Sequence, residues 1–273
     1  MRGTRNRDNY CYRHYRAESF VLCQRCGNTI CSRCQIKAQV GFFCPDCARG
    51  HRGSKSWRLF SNRISLNLRS DTPRVTVGLL IVMVLIYLAQ WLSGGYITQL
   101  LLYWPPLTLF EPWRMVTTIF VHSDSSVFHI LFNGYSLYVL GSLVERLVGS
   151  ARFFSLFLLS GFGGSVLVLF LAPASAVVGA SGAIFGLFGA IFVIQRSFGG
   201  PNIQLIIVLI LNLILGFIVP GVSWQAHIGG LLTGAIVANA LVKTRDKPVR
   251  LQRLRLGTIA LGLTGLSLVG AIL

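Results

Sequence analysis

Residues 179–196 read GASGAIFGLFGAIFVIQR, and residues 224–242 read WQAHIGGLLTGAIVANALV. A helix that crosses a bilayer needs about 20 predominantly apolar residues. The second run reaches that length, with a crossing segment at about 225–242, and the first, at about 181–196, falls short of it. Both carry glycines four apart, Gly182 with Gly186 and Gly230 with Gly234. Such spacing lets two helix backbones approach closely in a membrane. Each run also holds one polar side chain in its first turn or so, Ser181 and His227. Two membrane helices packed through glycine, with polar groups near the same end, set the reading of the remaining chain.

Composition agrees with a membrane protein. The chain has 273 residues, 53% of them hydrophobic and only 12% charged. Soluble domains average about 25% charged residues. That excludes a water-soluble globule, and for most of the chain it excludes intrinsic disorder. Further apolar runs lie at about 75–93, 127–145, 152–172, 203–219 and 256–273, which makes seven candidate spans. The segment 94–115, rich in proline and aromatics, reads as an external loop. The expected architecture is an all-α membrane protein, six transmembrane helices plus a seventh at the C-terminus, preceded by a small zinc-stabilised domain.

The net charge of +17 suggests a nucleic-acid binder, but its distribution does not. Fifteen of the 25 Lys and Arg residues lie in residues 1–74, against four acids. With the N-terminus in the cytoplasm and the spans alternating, 24 of the 25 fall on the inner side and only Arg114 falls outside. Positively charged loops face the cytoplasm. The expected localisation is therefore the plasma (inner) membrane, with the N-terminus inside and the C-terminus outside. Residues 1–22 hold no apolar stretch of the kind a signal peptide needs. The Arg-, Gly- and Ala-rich composition points to a bacterial source.

All seven cysteines fall between Cys11 and Cys47. With His14 they form four two-ligand pairs: Cys11 and His14, Cys23 and Cys26, Cys31 and Cys34, Cys44 and Cys47. Eight ligands suit two tetrahedral zinc ions. The link between the second and third pairs is only four residues, too short for one metal to be shared comfortably. An interleaved arrangement follows, with the first and third pairs on one zinc and the second and fourth on the other. His51 is an alternative ligand that fits the spacing less well. The pattern resembles B-box and RING-like zinc folds. A reducing compartment keeps such thiolates available, which agrees with a cytoplasmic head. The head is taken as residues 1–52. A basic linker, 53–74, follows, and its stretch 54–70 places Trp57, Phe60, Ile64 and Leu68 at amphipathic helical spacing beside Arg58, Arg63 and Arg69. Basic residues there are expected to meet anionic lipid headgroups, at about 1 kcal/mol for each one near the surface. Nucleic acid is not an expected partner.

Ionisable and polar groups inside spans are costly, and by default they mark function. The second, fourth and sixth spans hold His129, Asn133, Glu145, Ser181, Gln225 and His227. The fourth and sixth spans both enter from outside, so they run parallel and bring Ser181 and His227 to similar depth. A hydroxyl beside an imidazole is the minimum nucleophile and base for acyl transfer. That chemistry needs hydrogen-bond donors for an oxyanion. His129 and Asn133, four apart, share one face of the second span and sit in its outer half. The Ser181 backbone N–H is a further donor.

On these residues the chain resembles the rhomboid family of intramembrane serine proteases. The matching elements are Trp113-Arg114 in the first external loop, His129 and Asn133, Gly141 with Glu145, Gly179-x-Ser181-Gly182, and Ala226-His227 followed by Gly230 and Gly234. The resemblance covers roughly residues 75–242, the expected protease core. A basic loop, 243–255, and a seventh span, 256–273, complete the chain. The resemblance implies a Ser181–His227 dyad without a third carboxylate or a catalytic cofactor. It implies an oxyanion site of His129, Asn133 and the Ser181 N–H. It makes Trp113, Arg114, Glu145, Gly182, Gly230 and Gly234 structural, and the fifth span with Pro220–Gln225 a gate over the site. The substrates it implies are transmembrane proteins. His122 stands where the family often has a further histidine, at a slightly longer separation from His129. The competing readings are an inert rhomboid-like scaffold, a transporter with a zinc-regulated head, and a membrane-bound regulator whose head binds DNA.

Overall fold

Seven apolar helices follow a small cysteine-rich unit in the computed structural model, which describes residues 9–24, 26–37, 41–51, 72–197, 203–219 and 221–273. The amphipathic stretch 54–70 and Pro220 of the expected gate lie outside the described residues. The chain divides into two units, 1–65 and 66–273.

In the first unit a two-stranded antiparallel ribbon, β1 (Ile36–Lys37) with β2 (Phe42–Phe43), precedes α1 (Pro45–His51). Its core consists of cysteines and Ile30, with Tyr12, Val21, Phe42 and Phe43 packed around them. So small an apolar core is insufficient for an independent fold without a staple.

The second unit contains α2 (Arg74–Leu92), α3 (Tyr96–Leu101), α4 (Arg114–Thr117), α5 (Val127–Ser136), α6 (Ser142–Val148), α7 (Ser150–Leu171), α8 (Ser181–Ser197), α9 (Ile203–Ile218), α10 (Trp224–Lys243) and α11 (Val249–Ile272). A π-helical turn, Leu137–Gly141, joins α5 to α6 into one apolar helix, Val127–Val148. Among the described residues five helices are long and apolar enough to cross a membrane; α8 and α9 are shorter apolar helices. The expected loop 94–115 is structured: α3, a 3-10 turn at Pro105–Leu107 and the start of α4 fill it. The expected basic loop 243–255 is also shorter than the sequence suggests. Pro248, fixed in φ, starts α11 at Val249, and Leu, Arg and Gln carry the helix through residue 255.

Helix α8 is buried from Gly182 through Ile191. A helix apolar all round belongs at the centre of a bundle. Phe153, Leu156 and Phe157 of α7 and Val237, Ala238 and Leu241 of α10 pack with Ala183, Leu187 and Ile191 of α8. Glycine determines how near these helices come. A methyl group on Gly230 would lie 1.8 Å from the Gly182 carbonyl oxygen, and one on Gly234 would lie 2.1 Å from that of Gly186. On the other side of α10, one on Gly229 would lie 2.5 Å from the Gly163 oxygen of α7. The partners advance together along both helices, Gly186 meeting residues 230 and 234, and Gly189 meeting 231 and 235, so α8 and α10 run parallel.

Two polar clusters pin the periphery. The Glu145 carboxylate accepts from Val75 N (3.0 Å), Thr76 N (2.8 Å), Thr76 Oγ1 (2.7 Å) and Ser150 Oγ (2.6 Å). It thereby satisfies first-turn N–H groups of α2 that have no intrahelical acceptor. Arg114, buried, pairs with Glu111 and donates to the carbonyls of Gln99 and Leu102. Trp113 beside it is half exposed.

Candidate active site and metal centres

Ser181 opens α8, and the chain reaches it through a constrained approach. Val177 pairs with Tyr103 in an isolated bridge, and its carbonyl also accepts from Thr118 Oγ1 at 2.6 Å. Gly179 N donates to Thr118 O at 3.0 Å, with φ at +122°, a conformation that favours glycine. A side chain at residue 179 would also lie 2.8 Å from His129 Nε2. The N–H groups of the first turn of α8 point back toward this approach without intrahelical acceptors.

His227 stands in the first turn of α10, whose cap is Ser223: its hydroxyl accepts from Ala226 N at 3.3 Å. The imidazole is buried and stacks on Phe185, with ring centres 4.1 Å apart and planes 11° from parallel. Gly216 of α9 abuts its Nδ1, where an added methyl would lie at 3.1 Å. Neither ring nitrogen of His227 has a hydrogen-bond partner among the described residues. Such contacts often tighten only when substrate binds.

Ser181, His227, His129 and Asn133 line one cavity of about 580 Å³. His129 Nδ1 accepts from Ser123 N at 3.2 Å, which leaves the proton of the neutral ring on Nε2. Asn133, buried, donates one amide hydrogen to His129 O at 2.8 Å and keeps a second. The structure thus gathers the four sequence-predicted site residues around one space. Glu145, Trp113 and Arg114 are not in its lining, and Gly182 is. His122 is fully enclosed, and its ring meets that of His129 edge-on at 5.2 Å. Burial, and then the neighbouring His129, push it down to about 3, so it is neutral near pH 7.

Three contributors escaped sequence reasoning. Phe185, four residues after Ser181 and so on the same face of α8, is the platform for His227. Gly216 gives α9 its close approach. Gln90, buried in the first span, reaches His122 and Asp124. The spacing carried a signal for the first only.

In the N-terminal unit Cys11, His14, Cys31 and Cys34 form one group, and Cys23, Cys26, Cys44 and Cys47 another, with ligand atoms within 4.8 Å of one another. These are the first and third pairs, and the second and fourth. His14 Nδ1 lies 3.7, 3.4 and 3.3 Å from the sulfurs of Cys11, Cys31 and Cys34. Cys26 and Cys44 sulfurs are 3.8 Å apart. A tetrahedral ion with Zn–S near 2.3 Å and Zn–N near 2.1 Å places its ligands about 3.6–3.8 Å apart, so the donor sets fit zinc. Backbone N–H groups further support the knuckles, from Cys44 to Cys23 Sγ at 3.2 Å and from Cys47 to Cys44 Sγ at 3.3 Å. Burial works to raise the Cys11 thiol, but the N–H groups of Cys31, Arg13 and His14 outweigh it and bring it down to about 6. Burial, and then Cys11, push Cys34 up to about 11.

A Rhomboid domain matches residues 109–244. The rhomboid protease GluP of Bacillus subtilis (strain 168) is 38% identical over 138 residues, 48% of this chain and 26% of GluP. The rhomboid protein YdcA of the same organism is 33% identical over 143 residues, 50% of this chain and 71% of YdcA. The rhomboid protease GlpG of Salmonella choleraesuis (strain SC-B67) is 32% identical over 181 residues, 63% of this chain and 64% of GlpG. Related sequences from Arabidopsis thaliana, such as RHOMBOID-like protein 1 at 38% identity, extend the similarity to plants. The chain spans about a quarter of the length of GluP and less than half of these plant relatives.

Proposed function

The chain belongs to the rhomboid family, and from that premise we propose that it is an intramembrane serine protease acting on transmembrane proteins. The observation that carries the reading is one cavity lined by Ser181 and His227, from the first turns of two parallel helices joined backbone to backbone.

In this reading Ser181 Oγ attacks the scissile carbonyl carbon and His227 accepts the hydroxyl proton. Negative charge then develops on the carbonyl oxygen. His129 Nε2–H, the spare Asn133 amide hydrogen and the Ser181 N–H donate to it, aided by the positive end of α8. As the C–N bond breaks, His227 returns the proton to the leaving amine. Water, deprotonated by the same histidine, then hydrolyses the acyl-enzyme. Phe185 holds the imidazole plane. The 17 residues of α8 rise only about 25 Å, less than the roughly 30 Å of hydrocarbon, so a serine at its first residue lies below the membrane surface and still reaches water. Helix α9, which touches the site through Gly216, serves as the gate.

The head holds two structural zinc ions and lies in the cytoplasm, and the active site opens to the outer face of the membrane. The positive-inside pattern supports this orientation. The basic residues near the inner surface favour anionic headgroups.

The test is cleavage of a transmembrane substrate by the full chain in liposomes, compared with Ser181→Ala. The expected result is turnover by the first and none by the second. Equal cleavage by both would move the chemistry away from Ser181. Failure of both, together with no labelling of Ser181 by a fluorophosphonate, would favour the inert scaffold.

A further inference from the structure

Gln90 is fully buried near the end of α2, and its amide contacts one short segment on two sides. Nε2 donates to His122 O at 2.7 Å, and Oε1 accepts from His122 N at 3.0 Å. One side chain thus pairs with both backbone groups of one residue, as a neighbouring strand would. Nε2 also approaches Asp124 Oδ1 at 3.0 Å and Thr98 Oγ1 at 2.8 Å, while Thr98 Oγ1 donates to Asp124 Oδ2 at 2.7 Å. Residues 122 and 124 are therefore both held, and Ser123 lies between them. Its N–H is the group that caps His129 Nδ1 at 3.2 Å.

We propose that Gln90, supported by Thr98 and Asp124, is a positioning residue for the oxyanion site. It fixes the His122–Asp124 segment so that Ser123 N–H holds His129 in the Nε2–H form, with Nε2 facing Gly179 and the cavity of Ser181. The mechanism does not otherwise use this network, and the proposal rests on the protease reading for the role of His129. The chemistry is direct. An N–H donor at Nδ1 excludes a proton there, so the ring keeps its only proton on Nε2 and cannot turn over without losing that hydrogen bond. A backbone N–H directs the ring well only if its own peptide cannot rotate, and Gln90 supplies that constraint across 32 residues of sequence.

The experiment uses the full chain in liposomes with 15N-labelled histidine and compares wild type with Gln90→Leu. Wild type is expected to show His129 as a single Nε2–H species with Nδ1 as acceptor. Gln90→Leu is expected to add an Nδ1–H species and to lower kcat roughly 10- to 100-fold with KM nearly unchanged. That is less than the 10²–10³ of deleting an oxyanion donor outright. A folded Gln90→Leu protein with wild-type His129 resonances would overturn the proposal, as would a loss confined to KM. If Gln90→Leu does not fold, Thr98→Val keeps the amide and removes one support, and it should give a smaller fraction of the second species. An unchanged spectrum there also overturns the proposal. The nitrogen spectrum needs no turnover, so the two readings fail separately. A locked His129 in a chain that cleaves nothing would count against the protease alone. Ser181-dependent cleavage with a His129 spectrum indifferent to Gln90 would count against the positioning role alone.

Discussion

Substituting Gly230 by alanine tests the contact on which the site depends. The new methyl group would lie 1.8 Å from the Gly182 carbonyl oxygen and 2.6 Å from its carbon, both backbone atoms of a buried helix. No rotamer change relieves that. The oxygen must retreat by at least about 1.2 Å for the pair to reach 3.0 Å, the short limit for such contacts. Gly182 adjoins Ser181, and Gly230 lies three residues past His227, so opening α8 from α10 separates the hydroxyl from the imidazole. A misplacement near 1 Å costs on the order of 100-fold in rate. Overpacking of a core costs about 1–3 kcal/mol. Gly230→Ala should therefore fall in Tm by several degrees in detergent and lose about two orders of magnitude in cleavage rate. Gly257→Ala is the control, because a methyl group on Gly257 meets nothing within 4 Å. It should retain wild-type cleavage and gain up to about 1 kcal/mol of helix stability. A Gly230→Ala protein with wild-type Tm and rate would refute backbone packing of α8 on α10 at this level.

Glu145→Ala removes an acceptor for four donors and leaves the N–H groups of Val75 and Thr76 without it at a buried helix start. It should lose about 2–4 kcal/mol, read by thermal unfolding, and Glu145→Gln should lose less because the amide oxygen still accepts. Residual cleavage should track the folded fraction. Elemental analysis of the purified chain should find two zinc ions. Cys34→Ser and Cys26→Ser should each lower that number by about one, because each cysteine belongs to a different group. Chelation should render residues 9–51 sensitive to trypsin, since binding free energy is folding energy in so small a unit. Undiminished protease resistance after complete metal removal would show that the head folds without metal.

Residue types whose chemistry depends on spacing were legible in the sequence. The glycine pairs of the fourth and sixth spans read directly as close packing, and the structure makes that contact between Gly182 and Gly230 and between Gly186 and Gly234. The interleaved cysteine pairs were legible because a four-residue link restricts which pairs can share a metal. The start of α11 was not. Arg250, Arg253 and Arg255 read as loop charges, but arginine is a good helix former and Pro248 is a natural first-turn neighbour. Gln90 was invisible for a different reason. It sits at the end of an apolar run, and its significance lies in a backbone 32 residues away that no local pattern announces. The spacing of Phe185 from Ser181 puts it on the face of the serine, but its use as a platform for His227 depends on where α10 lies.

The distribution of polar groups explains how one bundle can be both rigid and open. The helices that carry Ser181 and His227 meet through backbone atoms, so their separation is set by geometry that side-chain motion cannot loosen. The segments beside His129 and Ser181 are held by side-chain hydrogen bonds instead: Gln90 to His122 and Thr118 to Val177. Such bonds are directional and stronger away from water, and they fix loops that apolar packing alone would leave free to slide. Helix α9 belongs to neither group. Ile207, Ile210, Leu211, Ile214 and Phe217 are exposed along it, and at the site it meets α10 through Gly216 beside His227 and Phe217 stacked on Trp224. Leu209 also packs against the core, but neither it nor Gly216 and Phe217 takes part in the backbone contact of α8 with α10 or in the hydrogen-bonded loops. In the proposed protease reading, access for a substrate helix and precision at the serine would then fall to different elements of the fold.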